Sequence, residues 1–160
     1  MIIKGITDED FINYKVPSMF IASATCSFKC DREYGSPICQ NSSLAQQPSI
    51  EISVEQILRR YYDNQITHAI VFGGLEPMDD LDDLISLIRT MRADGCMDDV
   101  VIYTGYTRDE LYECGLLDRL LPFENIVIKF GRYIPGQNPH LDTTLGVMLA
   151  SDNQYAERIS

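Results

Sequence analysis

The feature that most constrains the fold is the alternation of short apolar runs with amphipathic segments along most of the chain. The apolar runs cover residues 18–24, 68–72, 100–103 and 126–130. Each run is continuous rather than interrupted by polar residues at every second position, which is typical of parallel strands buried on both faces. Strands that alternate with helices predict an α/β fold, in which helices cover a mostly parallel sheet.

The amphipathic segments carry the start and stop signals of helices. Capping boxes are predicted at residues 53–56 and 107–110, each directly before a helical apolar stripe. The second of these helices is expected to end at Gly115, because glycine readily adopts the left-handed conformation that terminates a helix.

The acidic run at residues 79–83 lies ahead of another helical stripe and has two interpretations. It could bind a divalent metal, or Asp79 or Asp80 could cap a helix that ends at Gly95. Helix capping needs fewer assumptions, so it is the interpretation we prefer.

Composition limits the class of protein. The chain has 160 residues, of which 45% are hydrophobic, which predicts a single domain over residues 1–160 with enough apolar chain for a core. No apolar run is long enough to span a membrane and the N-terminal residues lack a signal-peptide pattern, so a cytoplasmic, membrane-free protein is predicted. The net charge of −11 argues against a nucleic-acid partner.

The two ends of the chain give weaker signals. Residues 1–17 are interpreted as an N-terminal strand or arm, and the apolar patch at residues 145–150 as one more strand or turn. No internal repeat, low-complexity segment or linker divides the chain.

Each predicted strand is followed directly by a segment that could contribute to a site. These segments are the cysteine-containing stretch 26–41 and the shorter stretches 73–77, 103–106 and 131–133. Ligands of parallel α/β folds bind at the carboxyl ends of the strands, so we expect the four segments to meet at one edge of the sheet.

The first segment, which we call the cysteine loop (residues 26–41), contains Cys26, Cys30 and Cys39 in the spacing C-x3-C-x8-C. In the cytosol, cysteines are more often metal-binding or catalytic than disulfide-bonded. Three thiolates can hold three irons of a 4Fe-4S cluster and leave the fourth iron open, whereas zinc would need a fourth nearby ligand. The alternatives are three unrelated loop cysteines or one fortuitous disulfide. Four other candidate ligands lack suitable spacing and are read as structural: His68, Cys96, Cys114 and His140.

Two further parts of the sequence, the stretch at residues 73–76 and Lys129, could contribute to a binding site. Gly73-Gly74 would allow a ligand to approach the backbone, and Glu76 offers a carboxylate suited to an ammonium group, although a lone Gly-Gly is more often an ordinary turn. Lys129 interrupts an apolar strand. It is either a solvated edge residue or a contact for a ligand carboxylate, and the sequence favours neither.

The cysteine loop, with Gln40 and Asn41 after its third cysteine, and the stretch Gly73-Gly-Leu-Glu-Pro77 together resemble the radical S-adenosylmethionine enzymes. The resemblance is greatest to the short activating proteins of anaerobic ribonucleoside-triphosphate reductase, and it extends from Met19 to at least Phe130. The usual signature of that family is C-x3-C-x2-C with an aromatic residue before the third cysteine. This chain has eight residues at the second spacing and Ile38 in the place of the aromatic residue.

The resemblance implies a fold, cofactors and site residues. The fold would be an incomplete (β/α) barrel that binds a 4Fe-4S cluster and S-adenosyl-L-methionine. The GGxEP stretch of the family receives the methionine part of the cofactor, which assigns that role to Gly73, Gly74, Glu76 and Pro77. Residues beside the third cysteine, Ile38 and Gln40, would line the adenosine side, and Lys129 could reach the cofactor's carboxylate.

The resemblance also implies an activity and partners. Reductive cleavage of S-adenosylmethionine would give a 5′-deoxyadenosyl radical, which takes a hydrogen atom from a glycine of a partner, pointing to anaerobic ribonucleotide reductase. An electron donor such as flavodoxin or ferredoxin would be required. Two alternatives stay open: a radical enzyme that acts on a small molecule or peptide, and a non-enzymatic iron–sulfur module. The second would ordinarily ligate all four irons and would have no use for residues 73–77.

Overall fold

The structure is a computed structural model that describes residues 1–160. Its strands are β1 (Ile2–Asp10), β2 (Ser18–Ser23), β3 (Ile50–Glu51), β4 (Ala69–Gly74), β5 (Asp99–Tyr103), β6 (Ile126–Phe130), β7 (His140–Asp142), β8 (Val147–Leu149) and β9 (Tyr155–Arg158). Its helices are α1 (Lys29–Tyr34), α2 (Ser42–Ala45), α3 (Val54–Asp63), α4 (Leu81–Ala93), α5 (Arg108–Glu113) and α6 (Leu116–Leu120), with a 3₁₀ helix at Pro77–Asp80.

Seven strands form one mixed sheet in the order β3-β1-β2-β4-β5-β6-β9. The central strands β2, β4, β5 and β6 are parallel, and these are the four apolar runs of the sequence. The outer strands β1, β3 and β9 pair antiparallel with their neighbours. The α/β class with a parallel centre is therefore confirmed. Strand β1 lies within the N-terminal strand or arm predicted for residues 1–17, whereas β3 and β9 were not predicted, because they have only two and four residues.

One face of the sheet is covered by helices α3 to α6, and the contact between them is the main core. Its strand side consists of every second residue of the parallel strands, such as Ile70, Phe72 and Ile102. Its helix side includes Ile57 of α3 and Ile88 of α4, which are fully buried. Burial of these apolar stripes holds the helices on the sheet, since amphipathic helices this short are marginal on their own.

The opposite face of the sheet is covered without any helix. A second cluster of buried residues joins Val71, Val101 and Val127 of the strands to Tyr14 in the β1–β2 connection and to Leu145. Leu145 belongs to the turn of a separate two-stranded sheet formed by β7 and β8. The predicted strand or turn at residues 145–150 is therefore one arm of this hairpin, which packs on this face of the sheet.

Both predicted capping boxes are present, at Ser53–Gln56 and Thr107–Glu110. Gly95 and Gly115 have positive φ directly after helices, as expected. The prediction that Asp79 or Asp80 caps helix α4 is correct in position only. Both residues lie in the 3₁₀ helix, and Asp80 stands at the N-cap position without any side-chain capping bond.

No helix of the structure combines the length and the apolar character that crossing a membrane requires.

Candidate functional site

A cavity of about 690 Å³ lies at the carboxyl ends of the parallel strands, within the size range of small-molecule sites. All four segments that follow the strands contribute to it. Nine of the ten predicted site residues line it: Cys26, Cys30, Ile38, Cys39, Gln40, Gly73, Gly74, Glu76 and Lys129. The exception is Pro77, which is buried behind the cavity at the start of the 3₁₀ helix.

The three cysteines of the cysteine loop all line this cavity. Their thiols are free and only partly exposed. Burial raises the pKa of both Cys26 and Cys30 to about 11, and the nearby Cys39 thiol adds to each shift. A ligand that needs thiolates must therefore displace protons from this loop as it binds.

The structure contains neither a disulfide nor a single-metal site among these cysteines. None of the five cysteines forms a disulfide. No group of three or more His, Cys, Asp or Glu side chains is gathered closely enough to hold a single metal ion. His68 is exposed next to the amino end of β4, at the opposite edge of the sheet. Three separate thiols around a cavity suit a cluster, whose irons each take their own thiolate.

The acidic run at residues 79–83 has a role that sequence reasoning missed. The Asp79 carboxylate accepts hydrogen bonds from the Ser27 backbone N–H at 2.9 Å and from the Tyr106 hydroxyl at 3.1 Å. The Asp80 carboxylate accepts one from the Thr25 hydroxyl at 2.6 Å. These two aspartates fasten the beginning of the cysteine loop to the segment after β4, which neither of the two earlier interpretations anticipates.

Glu76 is a buried hub between the segments that follow β4 and β5. Its Oε1 accepts hydrogen bonds from the Met78 N–H at 3.1 Å and the Thr104 hydroxyl at 2.7 Å, and its Oε2 accepts one from the Gly105 N–H at 2.8 Å. Burial raises the pKa of Glu76 although these donors oppose the shift. Its backbone N–H also donates to the Thr25 carbonyl at 2.8 Å. Oε2 thus accepts one hydrogen bond and has the capacity to accept a second.

We expect Thr104→Val to destabilise the protein by about 1–3 kcal/mol, because it leaves buried partners unsatisfied. Valine has the shape of threonine but cannot donate to Glu76 or accept the Tyr106 N–H, which lies 3.0 Å from the hydroxyl. Thermal unfolding followed by circular dichroism measures the change. The exposed Thr143→Val variant is the matched control and should change stability by less than about 0.5 kcal/mol. Equal stability of the two variants would show that the hydrogen bond from Thr104 to Glu76 does not stabilise the fold.

Lys129 lies in the interior of the sheet, so its interpretation as a solvated edge residue is wrong. Strand β6 pairs with β5 on one side and β9 on the other, and Lys129 is only 6% exposed. Its ammonium donates one hydrogen bond, to the Gly131 carbonyl at 2.6 Å, and forms no ion pair within contact distance. Burial lowers the pKa of Lys129 to about 8, which the more distant Glu76 carboxylate partly offsets. The cavity therefore contains a buried cation with capacity for an anionic ligand group.

The two glycines after β4 allow other groups to approach closely. Gly74 has a φ of +78°, and a side chain there would come within 2.8 Å of Leu44. Its carbonyl accepts a hydrogen bond from the Asn41 side chain at 2.6 Å, which fastens the end of the cysteine loop to β4. Glycine is needed at Gly74 for both its backbone conformation and its space.

A network of ion pairs joins the cysteine loop to the segments after β5 and β6. The Glu110 carboxylate contacts Lys29 from the loop and forms two hydrogen bonds with Arg132, at 2.8 and 2.9 Å. Both cations lie over the ring of Tyr106. Arg132 and Lys29 lower the pKa of Glu110 to about 2 against the effect of its burial. Charge order in sequence gives no sign of this network, because its members are remote along the chain.

Comparison with known proteins places most of the chain in a family. Residues 17–146 match the model of a protein family described as "4Fe-4S single cluster domain". The matched residues include the four parallel strands, the whole cysteine loop and the cavity-lining segments after β4, β5 and β6. No curated protein and no solved structure matches the chain.

Proposed function

The chain belongs to the family of 4Fe-4S single cluster domains, and on this premise we propose that it is a radical S-adenosylmethionine enzyme. The observation that carries the proposal is the cavity that lies between three free thiols and a buried lysine. A module that only transfers electrons needs a cluster site but no adjoining cavity of this size. The fold we propose is the incomplete (β/α) barrel of this class, with β2, β4, β5 and β6 as its parallel strands.

Cys26, Cys30 and Cys39 are the proposed ligands of the cluster. The donor set fits, because three thiols at the rim of one cavity can each bind one iron and leave the fourth iron facing the cavity. Cys114 is exposed directly after α5 and Cys96 follows α4, and neither lines the cavity, so neither is proposed as a ligand.

When bound, the cluster and S-adenosylmethionine would supply one-electron cleavage of the sulfonium to methionine and a 5′-deoxyadenosyl radical. A donor such as flavodoxin or ferredoxin would provide the electron. The chain's own contribution is to hold the three thiolates, to orient the cofactor and to exclude water. The buried residues Gly73 and Glu76 and the covered face of the sheet suit that purpose.

The methionine part of the cofactor is assigned to residues 73–77 and Lys129. The last acceptor position of Glu76 would receive an ammonium hydrogen, and the Lys129 ammonium would meet the carboxylate. The two groups attract each other, since the Glu76 carboxylate raises the pKa of Lys129 against the larger effect of burial. Pro77 lies outside the cavity, so its proposed part is to begin the turn that presents Glu76.

The adenosine part is assigned to the side of the cavity lined by Ile38 and Gln40. Ile38 is partly buried and provides apolar contact without an aromatic face. We propose that this contact replaces the aromatic residue of the usual signature.

The proposed hydrogen donor is a glycine of a partner protein, with anaerobic ribonucleotide reductase as the first candidate. The cavity opens to solvent beside the cysteine loop, where Ser27 and Gln40 are exposed. A primary radical in an open cavity would react with solvent components, so a partner that covers the opening would both protect the radical and present the substrate.

The proposal is tested by reconstituting the protein anaerobically with iron and sulfide, then adding dithionite and S-adenosylmethionine. We expect 5′-deoxyadenosine to form, and its yield to increase when the reductase from the same source is present. Electron paramagnetic resonance of that mixture should show a glycyl doublet.

Release of 5′-deoxyadenosine with no doublet, and transfer of its new hydrogen from a metabolite or peptide, would support the small-molecule alternative. A loaded cluster with no 5′-deoxyadenosine under any condition would support the electron-transfer alternative. A variant with all three loop cysteines replaced by alanine is the control for chemistry that does not depend on the cluster.

A further inference from the structure

The long spacing between Cys30 and Cys39 is produced by a compact exposed segment. Its six residues, Arg32–Pro37, are all exposed, whereas Asp31 and Ile38 at its two ends are partly buried. We call this segment the excursion (Arg32–Pro37). Its first half is the end of helix α1, and Gly35 reverses the chain with a φ of +78°.

The two ends of the excursion are held together by the side chain of Asp31. Its Oδ1 accepts hydrogen bonds from the Ile38 N–H at 2.9 Å and from the Cys39 N–H at 2.8 Å. The Asp31 carbonyl also accepts the Gly35 N–H at 2.9 Å. Oδ1 also accepts a hydrogen bond from the Cys30 thiol at 3.8 Å. One residue therefore closes the excursion at its base, and two of its four bonds reach the third cysteine or its neighbour.

The other contacts of the excursion are made by exposed side chains. The Arg32 side chain donates a hydrogen bond to the Ser27 carbonyl. The Glu33 carboxylate lies 3.7 Å from Lys29 and 3.3 Å from Arg132, but it is half exposed. Ion pairs at that exposure contribute little, because solvent screens them and ordering the long side chains costs entropy. Two hydrogen bonds from backbone N–H groups to one carboxylate are stronger, since the acceptor is charged.

We propose that Asp31 is a positioning residue that cancels the long spacing and sets Cys39 beside Cys26 and Cys30. The excursion leaves the loop and returns to nearly the same place, so its residues are dispensable for the ligand set. The inference rests on the proposed role of the three cysteines as cluster ligands. It concerns the loop alone and requires neither S-adenosylmethionine nor a partner.

The first test measures how firmly the protein holds iron. Wild type and Asp31→Ala are reconstituted anaerobically with ferrous iron and sulfide, and iron release to a ferrous chelator is followed by absorbance. We expect release from Asp31→Ala to be roughly tenfold faster or more, because charge-assisted hydrogen bonds to Cys39 and Ile38 are lost. Asp31→Asn keeps an acceptor oxygen and should recover most of the retention, and exposed Asp152→Ala is the matched control.

The second test removes the excursion. Deletion of residues 32–37 joins Asp31 directly to Ile38, leaving two residues between Cys30 and Cys39. We expect the deletion variant to load iron and sulfide as wild type does. In that background Asp31→Ala should have little further effect, because the chain itself then holds the two cysteines together. This double-mutant comparison separates closure of the excursion from any general effect of Asp31 on the fold.

Two results would overturn the inference. One is equal iron release from Asp31→Ala and wild type, and the other is the same loss from Asp31→Ala in the full-length and deletion backgrounds. A folded deletion variant that binds no iron would overturn the claim that the excursion is dispensable. Iron retention is independent of 5′-deoxyadenosine formation, so failure of the proposed activity and failure of this inference are distinguishable.

Discussion

Replacement of Cys39 by alanine is expected to abolish stable cluster binding under anaerobic reconstitution. Cys39 is one of three proposed ligands, and the loop offers no other thiol to take its place. Loss of an outer-shell partner of a metal site costs about 10–100-fold in affinity, and loss of a ligand itself should exceed that range. Iron and sulfide per chain, with the absorbance of the cluster, measure the outcome, and Cys26→Ala and Cys30→Ala should behave alike.

The matched controls are Cys96→Ala and Cys114→Ala, which remove thiols outside the loop and should leave loading unchanged. Full loading of Cys39→Ala would show that the eight-residue spacing does not deliver a ligand. Loss of loading in either control variant would show that the ligand set includes a cysteine of the helix layer.

Lys129→Met is expected to change cofactor affinity and stability in opposite directions. Methionine fills similar space without a charge, so the cavity loses its buried cation. If the ammonium meets the cofactor's carboxylate, S-adenosylmethionine should bind roughly tenfold more weakly or worse, since a charge-assisted hydrogen bond contributes about 1.5–3 kcal/mol. The free protein should gain on the order of 1 kcal/mol of stability, because it no longer has to bury a cation that has only one carbonyl partner.

The same lysine predicts a dependence on pH. Its pKa is lowered from an ordinary 10.5 to about 8, so the folded state holds the proton less tightly than the unfolded state. Stability should therefore rise with pH between about 8 and 10.5. Affinity for the cofactor's carboxylate should instead fall as pH rises through about 8, since the cation is then lost. Both trends should disappear in Lys129→Met.

Calorimetry of cofactor binding and thermal unfolding over this pH range are the measurements. Lys15→Met, which removes an exposed lysine, is the matched control and should change neither quantity. A Lys129→Met variant that binds the cofactor normally while becoming more stable would show that Lys129 destabilises the protein and does not bind the cofactor's carboxylate.

Local sequence patterns were sufficient for the central architecture. Strands made of continuous apolar residues must be buried on both faces of the sheet. The four parallel strands therefore follow from the composition and length of the apolar runs alone. Capping boxes at Ser53 and Thr107 place two helix starts correctly, because the bonds of a cap form between residues three apart. The carboxyl edge as the place of the site follows from the strand order itself.

Tertiary structure decided how the segments at that edge are joined. Asp79 and Asp80 have the composition of helix caps, yet their carboxylates bind the cysteine loop more than fifty residues away. Glu76 is presented in sequence as a free carboxylate, and the fold gives it three donors. Side-chain partners of this kind depend on which segments lie next to each other in the fold. The spacing of residues along the sequence does not predict these contacts.

The sequence by itself determined that this chain is an α/β protein with three closely spaced thiols after its first parallel strand. The path of the chain between Cys30 and Cys39 was decided by the fold, because an eight-residue spacing permits many separations of these two residues. In the structure the Asp31 carboxylate accepts the backbone N–H groups of Ile38 and Cys39, which brings the two ends of the excursion together. Lys129 was likewise ambiguous in sequence, since a lysine in an apolar strand can lie at an edge or in a cavity. The fold decided this: β6 pairs with β5 and β9 and so is not an edge strand, and Lys129 is only 6% exposed because other segments cover its face of the sheet.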